Sequence, residues 1–222
     1  MQITTTNTLD LKPHSVIYGP SKSGKTRLIP TLKAPLIMSC DDGLESIRQH
    51  QLPVVECNNW DKIAEFKNFV FSDSAEKKKY CEFVFDDISE MAALYLIKAL
   101  AANKDGRKAY GQMADEMMAF FRAIRKVKTN VIHLIAKEEK VQNEKKEFLY
   151  SPMLPGQAMH GMVPYMFGQI YHMETWTDPN NGAIHEVLRC KRTVGVEAGD
   201  RTGNLGEIEF ANLGAINDKV LS

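Results

Sequence analysis

Residues Gly19 to Thr26 read G-P-S-K-S-G-K-T, a complete G-x-x-x-x-G-K-[ST] set between an apolar stretch, Ser15 to Tyr18, and a segment from Lys25 that can be helical. In that setting Gly19, Pro20, Ser21, Lys22, Ser23 and Gly24 form a loop whose backbone N–H groups, with the following helix N-terminus, cradle phosphate. Lys25 then reaches the terminal phosphates, and Thr26 offers its hydroxyl to Mg²⁺. The expected ligands are ATP and Mg²⁺. A plain glycine turn is the alternative, and the complete motif in its strand-to-helix context stands against it.

Such a loop needs an acid at the end of a neighbouring strand to hold the metal, and Phe83-Val84-Phe85-Asp86-Asp87 supplies one. Asp86 is the expected Mg²⁺ residue. A second acid-ended strand, Met38-Ser39-Cys40-Asp41-Asp42, could polarise an attacking water. Asp41 is the first choice of base, with Asp42 and Asp87 as rivals. The competing reading is that Asp41 and Asp42 cap the helix starting near Leu44.

The elements that position these residues follow from periodicity. Strands are expected at Ser15 to Tyr18, Leu36 to Cys40, Pro53 to Cys57, Cys81 to Phe85 and Val131 to Ala136. Helices are expected at Lys25 to Leu32, Leu44 to His50, Asp61 to Phe71, Glu90 to Ala102 and Met113 to Val127, with a basic loop from Asn103 to Gln112. After Lys137 the pattern changes to a charged stretch, a Pro/Gly stretch, and strands near Gln169 to Glu174 and Ile184 to Lys191. The turn Asp178 to Gly182 between these last two is hairpin chemistry. The tail after Val194 is weakly patterned. Residues 1–222 are therefore expected to form one α/β P-loop domain, with a mainly parallel sheet flanked by helices and a C-terminal antiparallel extension.

Composition agrees with a globular domain: 44% hydrophobic, 25% charged, and 28 basic residues matched by 28 acidic ones. Nucleic-acid contact must then come from a local patch. Cys40, Cys57, Cys81 and Cys190 show no metal-ligand spacing, so a reducing, cytoplasmic setting is expected. No apolar run approaches the roughly 18 residues of a membrane span. His133, inside an apolar strand, reads as a core histidine, and Met113, Met117 and Met118 as core methionines.

The segment Val16 to Thr26 resembles the Walker A of RecA-like recombinases. From about Val16 to Arg201, the order of motifs resembles the phage AAA-type nucleotide-binding proteins with a RecA-like core, a group that includes Sak-type single-strand annealing ATPases. The resemblance implies a DNA-stimulated, Mg²⁺-dependent ATPase of a bacterial host's cytoplasm, acting on single-stranded DNA in recombination as a filament or ring. A single-strand-binding protein is a further candidate partner. Asp41 stands where such enzymes usually place a catalytic glutamate, and Lys137 where a Gln or His senses the γ-phosphate; Lys137 has phosphate or Glu138 as its alternative partners.

The resemblance also implies two DNA loops. One is the stretch with Lys104, Arg107 and Lys108. From Lys98 to Lys128 eight basic residues face three acidic ones, a local balance of +5. The other is Lys140 to Tyr150, where Lys140, Lys145 and Lys146 are followed by the aromatics Phe148 and Tyr150, a mixture suiting phosphates on cations and bases on rings. The competing reading there is a solvated hairpin. Arg189 and Lys191, two apart on one expected strand, and Arg201 are the candidates for a cation reaching a neighbouring subunit's nucleotide. A small-molecule phosphotransferase and a non-catalytic ATP-binding interaction module are the rival functions.

Overall fold

Apolar runs too short for helices dominate the first half of the chain. In the computed structural model, which describes residues 12–41, 43–103, 105–142, 146–156, 159 and 162–222, these runs become strands. Asp42, Lys104 and Lys145 lie outside the described residues. The strands β1 (Ser15–Gly19), β2 (Pro35–Ser39) and β4 (Glu82–Asp86) are buried at every position, and β5 (Val131–Gln142) is buried from Ile132 to Ala136. Continuous burial is what a parallel strand covered on both faces requires. With β3 (Val54–Glu56) and β7 (Gln169–Thr177), these strands form a parallel core in the order β7-β1-β5-β4-β2-β3.

The antiparallel extension is also present. Beyond β7 lie β8 (Ile184–Arg189) and β10 (Ile208–Phe210), while β9 (Gly199–Asp200) pairs with β7 and β6 (Phe148–Pro152) with β5. The β7–β8 hairpin closes at the expected turn, where the Gly182 amide donates to the Asp178 carbonyl at 2.8 Å. Gly182 has φ +73°, a value that favours glycine.

The two sheet faces are covered differently. Val16, Tyr18, Phe83, Phe85 and Leu134 face α1 (Trp60–Phe71), α2 (Ile88–Ala102) and α3 (Gly106–Ile124). Helix α1 starts at Asn59, whose side chain accepts from the Lys62 amide, and buries Ile63, Phe66 and Val70 at helical spacing. Burying each such side chain contributes about 1.5–3 kcal/mol. On the other face Ile17, Ile37, Val84 and Ile135 meet two 3₁₀ segments, Lys25–Thr31 and Gly43–His50, and α5 (Leu213–Leu221). A short helix, α4 (Met162–Met166), precedes β7.

Three expectations are corrected. The stretch Asn103 to Gln112 is a loop only as far as Asp105, whose side chain accepts from the Arg107 amide and starts α3. Ala109, Met113 and Met117 are buried at helical spacing, so the apolar stripe runs back through the basic residues. The tail is not featureless: α5 buries Leu213, Ile216 and Val220. Lys191 lies beyond β8, which ends at Arg189, so the two residues do not share a strand face.

His133 is a satisfied core residue. Its Nδ1 lies 2.8 Å from Ser15 Oγ and its Nε2 2.7 Å from Glu82 Oε2, which also accepts from Asn217 of α5. The four cysteines are free, with Cys57 and Cys190 buried. No described helix is long and apolar enough to cross a membrane.

Candidate functional site

The phosphate loop leaves β1 at Gly19, where β5 and β7 flank it. Gly19 has φ +155°, and a Cβ there would lie 2.7 Å from the Met173 carbonyl oxygen of β7, so no larger residue fits. Lys22 (φ 62°) and Gly24 (φ 96°) take left-handed conformations, and the Ser23 amide donates to the Pro20 carbonyl at 3.3 Å. The helical segment expected at Lys25 to Leu32 is a 3₁₀ helix of 7 residues, Lys25–Thr31. Pro30 inside it supplies no N–H. Its last residue, Thr31, meets α5, with Thr31 Oγ1 accepting from the Leu213 amide at 3.0 Å.

Lys25 extends into a cavity of about 1010 Å³ at the carboxyl ends of the strands, where open α/β sheets place ligands. Its Nζ donates to the carbonyls of Gly19 at 2.8 Å and Pro20 at 2.7 Å. Burial holds its pKa below the usual lysine range, opposed by Asp86, Asp87 and Glu138. Thr26 Oγ1 donates to Asp86 Oδ2 at 3.2 Å, bringing together the two residues expected to hold Mg²⁺.

Asp86 is the last residue of β4 and almost fully buried. Its pKa is pushed up to about 7, first by burial and then by Asp87 and Asp41, against the hydrogen bond from Thr26 and the charge of Lys25. A dication beside it would reverse that balance. Ser23 Oγ is the one buried side-chain polar atom among the described residues without a partner, and it lies in the loop that would hold phosphate. The donor set therefore fits a nucleoside triphosphate with Mg²⁺: the loop and Lys25 would hold phosphate, and Thr26 and Asp86 the metal, which would neutralise phosphate charge.

The remaining acids are placed less simply. Asp41 lines the cavity but is exposed, and its Oδ1 accepts from the Gly43 amide at 3.0 Å, as a turn cap does. Asp87 caps α2 by accepting from the Glu90 amide at 2.5 Å, and burial raises its pKa. Lys137, opposite Gly19 in the β1–β5 register, donates to Glu90 at 2.8 Å and lies 3.9 Å from Asp87. Its acidic partners are therefore these two, not Glu138.

Glu138 instead lies 2.6 Å from His172 Nε2, whose ring stands over Tyr18. Reading the sequence missed Glu138 as a cavity wall, although its place next to Lys137, just past the apolar run of β5, marked it. It also missed the pair between Arg27 and Glu186 beside Gly24. Those two are 159 residues apart, so no local pattern signals them.

The DNA candidates divide. Lys140 to Tyr150 belongs to a hairpin in which β5 runs on to Gln142 and pairs with β6, Lys140 facing Tyr150. The Lys140 ammonium sits 4.3 Å above the Phe148 ring and 5.8 Å from that of Tyr150, both rings being exposed. Lys146 is exposed in the turn that joins the two strands. Arg107 and Lys108 are exposed on the first turn of α3. Arg189 is already engaged, donating to both Glu174 oxygens and to Glu207. Lys191 is exposed in the loop after β8, and Arg201 lies at the opposite end of β7 from the cavity.

A family model described as an AAA domain matches residues 12–202. Among solved structures the chain is similar to the flagellar accessory protein FlaH from Methanocaldococcus jannaschii, 16% identical, with a TM-score of 0.49 over 89% of this chain and 84% of that one. It is also similar to the RadB recombinase, 14% identical, with a TM-score of 0.47 over 83% of this chain and 84% of that one. A KaiC-like protein from Pyrococcus horikoshii OT3 is 9% identical, with a TM-score of 0.44 over 80% of this chain and 77% of that one. No curated protein matches the sequence.

Proposed function

The chain belongs to the AAA domain family, and from that premise we propose that it binds and hydrolyses ATP with Mg²⁺ while acting on single-stranded DNA in phage or prophage recombination. The observation that carries the nucleotide reading is the contact of Thr26 with Asp86 across a loop whose lysine and unpartnered serine face the same cavity. Support for the single-strand reading comes from the exposed rings and cations of the β5–β6 hairpin, which suit stacked bases and phosphates. In this reading copies of the chain assemble as a filament or ring, and hydrolysis proceeds by water polarised at Asp41.

A second reading, a module that keeps ATP without turning it over, is favoured by one feature: the Asp41 carboxylate is exposed and already caps Gly43. One substitution tests the shared nucleotide site and a second separates the readings. Asp86→Asn weakens Mg²⁺-dependent ATP binding in both. Asp41→Asn leaves binding near normal and, in an enzyme using that base, slows single-turnover hydrolysis by roughly 10²- to 10⁴-fold. Hydrolysis at the original rate in Asp41→Asn removes that residue from the mechanism.

A further inference from the structure

Among the described residues, none of the basic side chains between Lys98 and Lys128 lines the nucleotide cavity. Two of them, Arg125 and Lys128, border a second cavity of about 840 Å³, together with Lys12, His14 and Arg201. This cavity lies beside His14, just before β1, and Gln169, the first residue of β7, and so at the other end of the sheet from the phosphate loop. A five-residue strand separates the two by roughly 16 Å.

Among the described residues no carboxylate lines this cavity. His14 is committed to the backbone, with Nε2 3.0 Å from the Val127 carbonyl oxygen and Nδ1 accepting from the Ile132 amide at 3.1 Å. Arg125, Lys128 and Arg201 are exposed and form no ion pair among the described residues. Elsewhere Arg27, Lys67, Lys98, Lys137 and Arg189 each have a carboxylate partner. The cations come from separate parts of the fold: Lys12 precedes β1, Arg125 is the C-cap of α3, Lys128 leads into β5 and Arg201 follows β9.

The attraction of cations to a helix C-terminus accounts for Arg125. It does not account for Arg201, which is brought in by its amide's bond to the Gly168 carbonyl at 2.9 Å. The Arg201 side chain packs beside Gly168, where a Cβ would lie 3.4 Å from that of Arg201, in van der Waals contact.

We infer that this groove is a second anion site, which takes the sugar–phosphate backbone of a single nucleic-acid strand. Guanidinium groups suit phosphate because their planar donors bind two oxygens at once. The choice of a strand over an acidic peptide rests on the function proposed above; the anion chemistry does not.

The test is fluorescence anisotropy of a labelled single-stranded oligonucleotide across a salt series, comparing the full-length chain with the triple variant Arg125→Gln, Lys128→Gln, Arg201→Gln. The expected result is a salt slope lower by about 2, at about 0.7 per lost phosphate contact, with ATP binding at the distant cavity unchanged. The oligonucleotide should also protect Lys128 from acetylation. An unchanged slope in the triple variant, with Lys128 unprotected, overturns the inference while leaving the hairpin to bind the strand. Absence of strand binding by the unmodified chain at low salt overturns both. Displacement of the oligonucleotide by inorganic tripolyphosphate or poly-glutamate at equal charge concentration reduces the groove to a general anion site and overturns the strand assignment.

Discussion

Lys25 donates to two carbonyls of its own loop, bonds that phosphate oxygens would replace in the proposed ATP complex. Lys25→Ala is expected to weaken ATP binding by about 2 to 4 kcal/mol, the usual cost of removing a partly buried charge from its partner. Isothermal titration calorimetry measures this, and an unchanged thermal midpoint shows that the fold survives. The loop was legible in the sequence because its chemistry depends on residues within one turn of chain. Glu138 with His172, and Arg27 with Glu186, were not, because each pair is assembled across the sheet.

His14 tests the electrostatics of the fold. Burial lowers its pKa from 6.5 to about 4, against the bond to Val127. The unfolded chain therefore takes up a proton near pH 6.5 while the folded one does not. Stability from this residue is complete above pH 6.5 and is lost as pH falls to about 4, by up to about 3 kcal/mol. Urea midpoints at pH 7 and 4.5 should show this loss reduced in His14→Gln, whose amide can keep both backbone bonds without titrating. Equal losses in the two proteins would contradict the assignment.

Among the elements, the β5–β6 hairpin carries the clearest functional expectation. Phe148 is 58% exposed and lies under the Lys140 ammonium. Phe148→Ala should weaken binding to a single strand by about 1 to 3 kcal/mol with little change in salt slope, because stacking releases no counterions. A salt series by anisotropy reads both quantities. The hairpin stood in the sequence only as the competing reading of a charged stretch, because β5 runs past its apolar part, Val131 to Ala136, into residues without an apolar pattern. The start of α3 was not legible, since Gly106 and Gly111 made helical sequence look like loop; a Cβ at either glycine would meet nothing within 4 Å, so each sits in open space on the helix surface. Helix α5 was hidden because its anchor is long-range: Gly214 abuts the Thr31 carbonyl so closely that a Cβ would fall 2.2 Å from that oxygen.

At the scale of the whole molecule, equal numbers of basic and acidic residues give the chain no general attraction for polyanions. The parallel core brings the phosphate loop, Asp86 and the base of the β5–β6 hairpin to one end of the sheet, because β5 lies between β1 and β4 and all three run the same way. Strand order was not legible in the sequence, since nothing local dictates that β5 separates β1 from β4. That adjacency joins the nucleotide cavity to the hairpin through β5, which carries Lys137 and Glu138 at the cavity and Lys140 beyond it. The most direct test is the steady-state rate of Mg²⁺-dependent ATP hydrolysis with and without a single-stranded oligonucleotide. Turnover that depends on Asp86 and rises when the strand is added is the expected result. No turnover under either condition, or a rate that the strand leaves unchanged, would contradict it.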